Sequence, residues 1–209
     1  MKAPPERLTP AAIGFSSHSG WAAVLCLGGP APAILERSRL LLTSAPLPRE
    51  PYHDAKRRGG LEEAEKIVAA AADEARALAV EAIAGLAASV RAHGYELVAS
   101  GVVLGGGRPD FTLSQALSTH AAMHGAEGWL FREALIEASQ ACGLKATGVP
   151  ERDLPARAAA ALRRSESVVG ELLQQLGRDQ GPPWGRDQKA AALAALVALL
   201  SDSEHAPRP

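Results

Sequence analysis

Residues 12–27, AIGFSSHSGWAAVLCL, decide the fold. They read as two short apolar strands, 12–16 and 20–27, joined by the polar turn Ser17-His18-Ser19-Gly20. Ile13 and Phe15 are two apart and share one face, and so short a connection makes the pair antiparallel. Gly28-Gly29-Pro30 marks the next turn. Residues 33–42, AILERSRLLL, then set Ile34, Glu36, Ser38 and Leu40 against Leu35, Arg37, Arg39 and Leu41. That period of two predicts a half-exposed outer strand, so the three strands form a meander.

The remaining chain pairs with this meander or packs over it. Residues 1–11, with three prolines, read as a loose arm, and 12–200 as a single domain. Residues 44–60 read as a surface connection, with Tyr52 packing it down beside a solvated His53. The three-four spacing of Ala64, Ile67, Val68, Ala71, Ala75, Leu78, Ala82, Leu86 and Val90 predicts a long helix over 61–93, which Gly94 ends. Residues 96–104, ELVASGVVL, form a continuous apolar run, the pattern of a central strand buried on both faces. Further helices are expected over 117–142, 151–176 and 187–200, with a fifth strand at 145–150. Gly181 to Gly185 reads as a rigid turn whose Trp184 buries against the sheet, and 201–209 as a disordered tail.

Composition bounds the function. A chain of 209 residues suits one core. Only 4% of its residues are aromatic while alanine is abundant, so closely packed helices are expected. The formal net charge of -1 gives no global field for a polyanion; any nucleic-acid contact must be a local patch. Cys26 and Cys142 are too few for a disulfide framework, and Cys26 lies in an apolar strand as a small buried thiol. The start of the sequence lacks the apolar stretch of a signal peptide, and no run reaches the ~20 apolar residues of a membrane span. A cytoplasmic protein without membrane contact is the expectation.

Three meander strands, a helix, a strand, a helix, a strand and further helices is the order of the ribonuclease H-like α/β fold. Ile13-Gly14-Phe15-Ser16 followed by Gly20-Trp21-Ala22-Ala23-Val24 resembles the first two strands of RuvC-type Holliday-junction resolvases. Ser118, Glu127-Gly128, Gly143-Leu144 and Val149-Pro150-Glu151-Arg152 resemble that family's next helix and strand. Asp187 to Leu196, DQKAAALAAL, is similar to its closing helix. The resemblance spans about 12–200. It implies a nucleic-acid partner, divalent metal chemistry and a homodimer.

The sequence departs from that family at the residues that would hold metal. There, a first-strand Asp and a Glu ending the fourth strand hold ions that stabilise the attacking and leaving oxygens. Here Ser16 stands at the Asp position, and residues 98–105 contain no carboxylate. In the last helix Asp187 remains, with Ala190 or Ala191 at the second acidic position. A conventional two-metal centre is therefore not expected.

Other residues offer a different chemistry. In an open α/β sheet, ligands gather beyond the carboxyl ends of central strands. Here those ends carry Ser16-Ser17-His18, Gly105-Gly106-Gly107-Arg108 and Glu151-Arg152. His120, His124 and Glu127 lie within ~60° of one another on one helix face. Two His at i and i+4 can chelate one divalent ion, which a carboxylate can complete. The alternative is a polar helix face whose His residues bond to neighbours. His18 can approach the same place, and Ser16, Gly105, Gly106, Arg108 and Lys189 form a candidate phosphate- or ligand-binding set. Asp187 is a helix-cap candidate or a remnant of a metal site.

Two functions follow as expectations. One is a diverged hydrolase acting on a nucleic acid or phosphorylated small molecule through His18, His120, His124, Glu127 and Asp187, with one divalent metal or none. A neutral His, with an ordinary pKa of ~6.5, can serve as its general base. The other is a non-catalytic ribonuclease H-like module that binds nucleic acid or a protein partner. An actin-like ATPase is excluded by length, since that fold needs two such domains.

Overall fold

A computed structural model describes residues 8–106, 108–110 and 112–203. Its core is a five-stranded mixed sheet in the order β3-β2-β1-β4-β5. β1 (Thr9–His18), β2 (Trp21–Gly28) and β3 (Ala33–Leu41) form the expected antiparallel meander. β4 (Tyr95–Leu104) and β5 (Lys145–Pro150) add in parallel beside β1. β1 is longer at both ends than the 12–16 expected. His18 still pairs with Trp21, which leaves only Ser19-Gly20 as the turn, with Gly20 at φ +77°.

Helices cover both faces. α2 (Leu61–Ala92) and α4 (His120–Ala141) bury one face against Ile13, Phe15, Val24, Cys26 and Val102. α7 (Arg186–Ser203) lies along the opposite face, under α5 (Leu154–Leu162) and α6 (Glu166–Gln180). Residues 190–199 of α7 are all buried, the expected behaviour of a helix that is apolar all round. Its alanines and two sheet glycines explain how it fits. A Cβ on Gly14 would stand 1.9 Å from the Ala191 carbonyl oxygen, and one on Gly101 2.1 Å from that of Ala194. The helix backbone thus rests directly on the backbone of β1 and β4, an approach closed to any larger residue.

Four expectations are corrected. Residues 44–60 are not a plain connection, because Pro51–Arg58 forms α1, with Pro51 in its first turn. Proline there reads as a breaker in sequence but suits a helix start, where its missing N–H goes unused. The helix expected from Leu117 divides into a short α3 (Leu113–Ala116) and α4, whose cap is Thr119. The run expected over 151–176 opens with a single 3-10 turn at Glu151–Asp153. It then breaks at Arg163, whose left-handed φ of 55° separates α5 from α6. The final helix continues through Ser203. Residues 1–7 of the expected arm, 204–209 of the expected tail, and Gly107 lie outside the described residues. No helix among the described residues is long and apolar enough to cross a membrane.

Candidate functional site

Two separate groups of polar side chains emerge, one on each side of the sheet. The first joins α1 and α4. Thr119 accepts the Ala122 N–H at 3.1 Å, which places His120 at the first position of α4 and His124 one turn later. His124 Nε2 lies 2.9 Å from His120 Nε2, and His120 Nδ1 lies 3.1 Å from His53 Nε2. The other nitrogen of His53 faces the Glu127 carboxylate, with Nδ1 2.9 Å from Oε1 and 3.0 Å from Oε2.

Glu127 is fully buried. It is compensated by three donors, since Oε1 also accepts the backbone N–H groups of Tyr52 and His53 at 3.1 and 3.2 Å. Those are two of the unpaired amides at the start of α1, for which no local side chain provides a cap. The carboxylate therefore holds α1 on α4 and fixes the proton of His53 on Nδ1. One ring nitrogen from each of His53, His120 and His124 lies within 4.8 Å of the others, so the trio is able to hold a metal ion. Glu127 stands behind them rather than among them.

The second group lies at the carboxyl ends of the strands, toward α7. His18 Nε2 meets Asp187 Oδ1 at 2.9 Å, and the His18 ring stacks on Trp21 with centroids 4.5 Å apart. The Arg39 guanidinium lies 3.9 Å from the Trp21 ring centroid. Glu151, just past β5, is bonded at 2.7 Å by Arg186. Ser16 is buried on β1, and Val103 is buried on β4 against the α7 side. Lys189 and Arg152 are exposed near the same ends. His18 and Asp187 are thus brought together with each other, while His120, His124 and Glu127 gather with His53 across the sheet.

Arg132 completes this edge from α4. Its guanidinium fills the space beside Gly105 and Gly128, where a Cβ would stand 2.7 and 2.9 Å from its terminal nitrogens. Its Nε is buried with no hydrogen-bond partner among the described residues. Burial pulls its pKa below the ordinary arginine range, and Glu151 opposes that. Arg108 instead pairs with Glu133 at 3.1 Å and stands over Trp129. It borders a cavity of about 780 Å³ lined by Tyr52, Leu61, Val68, Leu113 and Trp129. The Tyr52 phenol is pushed up, first by burial and then by Glu127 and Glu133.

Known structures give the architecture a context. A "T. thermophilus RuvC in complex with Holliday junction substrate" superposes with a TM-score of 0.53 over 95% of this chain and 98% of that one, at 12% identity. This is the ribonuclease H-like fold. A second Thermus thermophilus RuvC structure aligns over 93% of this chain and 96% of its own, with 14% identity and a TM-score of 0.48. No family model and no curated protein matches the sequence.

Within the ribonuclease H-like frame, His53 and Arg132 are the functional candidates that sequence reading missed. Nothing local marks His53, because its partners are 67 and 74 residues away. Arg132 sits on a helix face whose outward residues look like solvated charges until β4 is placed beside it.

Proposed function

We propose that this chain is a ribonuclease H-like module that binds the phosphate backbone of a nucleic acid at the carboxyl ends of β1 and β4, without metal-dependent cleavage there. The observation that carries the reading is Arg132, a cation held under the Gly105 exit with an unpartnered Nε. Arg152 and Lys189 lie exposed at the same edge, and Gly105-Gly106 leaves the backbone accessible to a phosphate. The solved relative in complex with a Holliday junction makes branched DNA the first ligand to test.

Cleavage is excluded from the proposal on chemical grounds. Two hard cations beside a phosphate need clustered carboxylates. The strand ends present Ser16 and Val103, and the nearby Asp187 and Glu151 are engaged by His18 and Arg186. These residues do not fit the metal pair of the resolvases.

The test is fluorescence anisotropy with labelled four-way junction, duplex and single-stranded DNA in chelator, repeated at rising salt. Binding that weakens steeply between about 50 and 200 mM salt, and weakens further in Arg132→Ala, supports a phosphate-contacting groove. No binding to any of the three DNAs overturns it, as does Arg132→Ala binding like the parent. Incubation of the junction with Mg²⁺ or Mn²⁺ is expected to leave it intact.

A second reading, phosphoester hydrolysis at the His cluster, is favoured by the exposure of His120 and His124 beside a buried carboxylate. A neutral imidazole there can take a proton from water. Turnover of a generic phosphodiester that disappears in His124→Ala would support it, and no turnover by the folded protein would remove it.

A further inference from the structure

We propose that His53, His120 and His124 form a mononuclear site for a borderline transition-metal ion, zinc above all, with Glu127 as the positioning residue behind His53. The site lies on the α2–α4 side of the sheet and does not depend on nucleic-acid binding at the strand ends. It is also distinct from metal-free general-base hydrolysis at the cluster, because a bound ion takes the nitrogen lone pairs that a base would use.

The argument begins with ligand type. Three imidazoles without a directly ligating carboxylate suit zinc, cobalt or nickel and suit magnesium or calcium poorly, since those prefer oxygen. The geometry is next. The two-helix arrangement supplies one ligand from α1 and two, one turn apart, from α4, with a donor nitrogen from each within 4.8 Å of the others. The rings meet edge-to-face or tilted rather than stacked: the His120 and His124 planes stand at 82°, those of His53 and His120 at 77°, and those of His53 and His124 at 52°. In that arrangement the in-plane lone pair of one ring can be directed past its neighbour toward a shared point.

Glu127 supplies the third element. With its Nδ1–H committed to the carboxylate, His53 has its Nε2 lone pair turned toward His120. A ligating histidine whose second nitrogen bonds a carboxylate is the ordinary supporting arrangement of a metal centre. The buried negative charge also offsets the incoming cation. His124 has half of its side-chain surface exposed, so solvent can reach the cluster and supply a fourth ligand. Three protein ligands with one open position is the coordination of a zinc ion that activates water, whereas a purely structural zinc is closed by four.

A competing arrangement is a metal-free relay in which each ring donates one N–H to the next and His53 donates to Glu127. The two differ in what they do with added metal. The test uses the full chain without a histidine tag, stripped with chelator and then titrated with Zn²⁺, Co²⁺ or Mg²⁺ alone. One Zn²⁺ per chain retained through gel filtration, with the visible absorption bands of tetrahedral Co²⁺ and no response to Mg²⁺, is expected.

His120→Ala/His124→Ala should abolish retention while leaving the circular dichroism of the metal-free protein unchanged, since both positions are exposed. Glu127→Gln should retain all three ligands but bind about 10- to 100-fold more weakly. Failure of the folded parent to retain zinc would overturn the site, and so would equal retention by the double variant. Unchanged affinity in Glu127→Gln would overturn the positioning role. DNA binding, measured in chelator, reports on the groove separately.

Discussion

Glu127 on α4 caps α1 across 75 residues of sequence, accepting the Tyr52 and His53 amides at 3.1 and 3.2 Å while it holds the His53 ring. One fully buried carboxylate therefore orders a helix start and an imidazole together. Glu127→Ala leaves the part-buried Tyr52 and His53 amides and a ring N–H without their acceptor, and a loss of about 3 kcal/mol or more is expected. Glu127→Gln keeps an acceptor for the amides but not the charge, and should lose about 1–3 kcal/mol. Urea denaturation of the metal-free variants checks both values, and Ala losing no more than Gln would contradict the capping role.

Gly14 carries the contact between β1 and α7. Gly14→Ala puts a methyl group into the Ala191 carbonyl, 1.9 Å away, and neither backbone has a side chain that can swing aside. A loss of about 3 kcal/mol or more is expected, at the upper end of overpacking. Gly85→Ala is the control, because a Cβ there meets nothing within 4 Å and sits inside α2. It should stabilise the protein by up to about 1 kcal/mol. Thermal melts of the two variants should move in opposite directions.

Cys26 has its thiol pushed up to about 12 from an ordinary 9.0, first by burial and then by Glu36. Ellman's reagent at pH 8 should therefore leave it untouched in the native protein and modify it once the chain is unfolded. Across pH 9 to about 12 the folded thiol keeps its proton while the unfolded one gives it up. The folded state then binds more protons, so stability falls as pH rises through that window. Denaturant midpoints followed from pH 8 to 11 should show a shallower fall in Cys26→Ala.

Thr119 sets where α4 begins. Thr119→Ala removes the bond to the Ala122 amide and should lower stability by about 1 kcal/mol. Because His120 is the next residue, the same change should loosen the cluster. Proton NMR of the imidazole resonances would show exchange broadening at His120 and His124, and unchanged lines would place their order elsewhere.

The sheet was legible because its signals are local. The two-residue period of 33–42, the continuous apolar run of 96–104 and the short turn at Gly20 each constrain a few adjacent residues, and the strands formed at those places. α2 followed equally from its three-four spacing. The break at Arg163 did not, since no proline or glycine marks it and the left-handed residue is an arginine. α1 was hidden for a different reason. Its N-terminal amides are capped by Glu127, a residue far along the chain, so the stretch carries only proline and charge as local clues.

The candidate residues divide the same way. That His120, His124 and Glu127 share a face is a property of helical period, and sequence alone determined it. Which nitrogen meets which, and that Glu127 stands behind His53, depended on how α1 docks on α4. The separation of His18 and Asp187 from that cluster was likewise a tertiary outcome. The strand ends suggested a single gathering point, but the sheet lies between α7 and α4 and sends their side chains to opposite faces. Spacing along a chain determines what an element can present. Only the packing of elements, driven by apolar burial over long sequence separations, decided what those side chains meet.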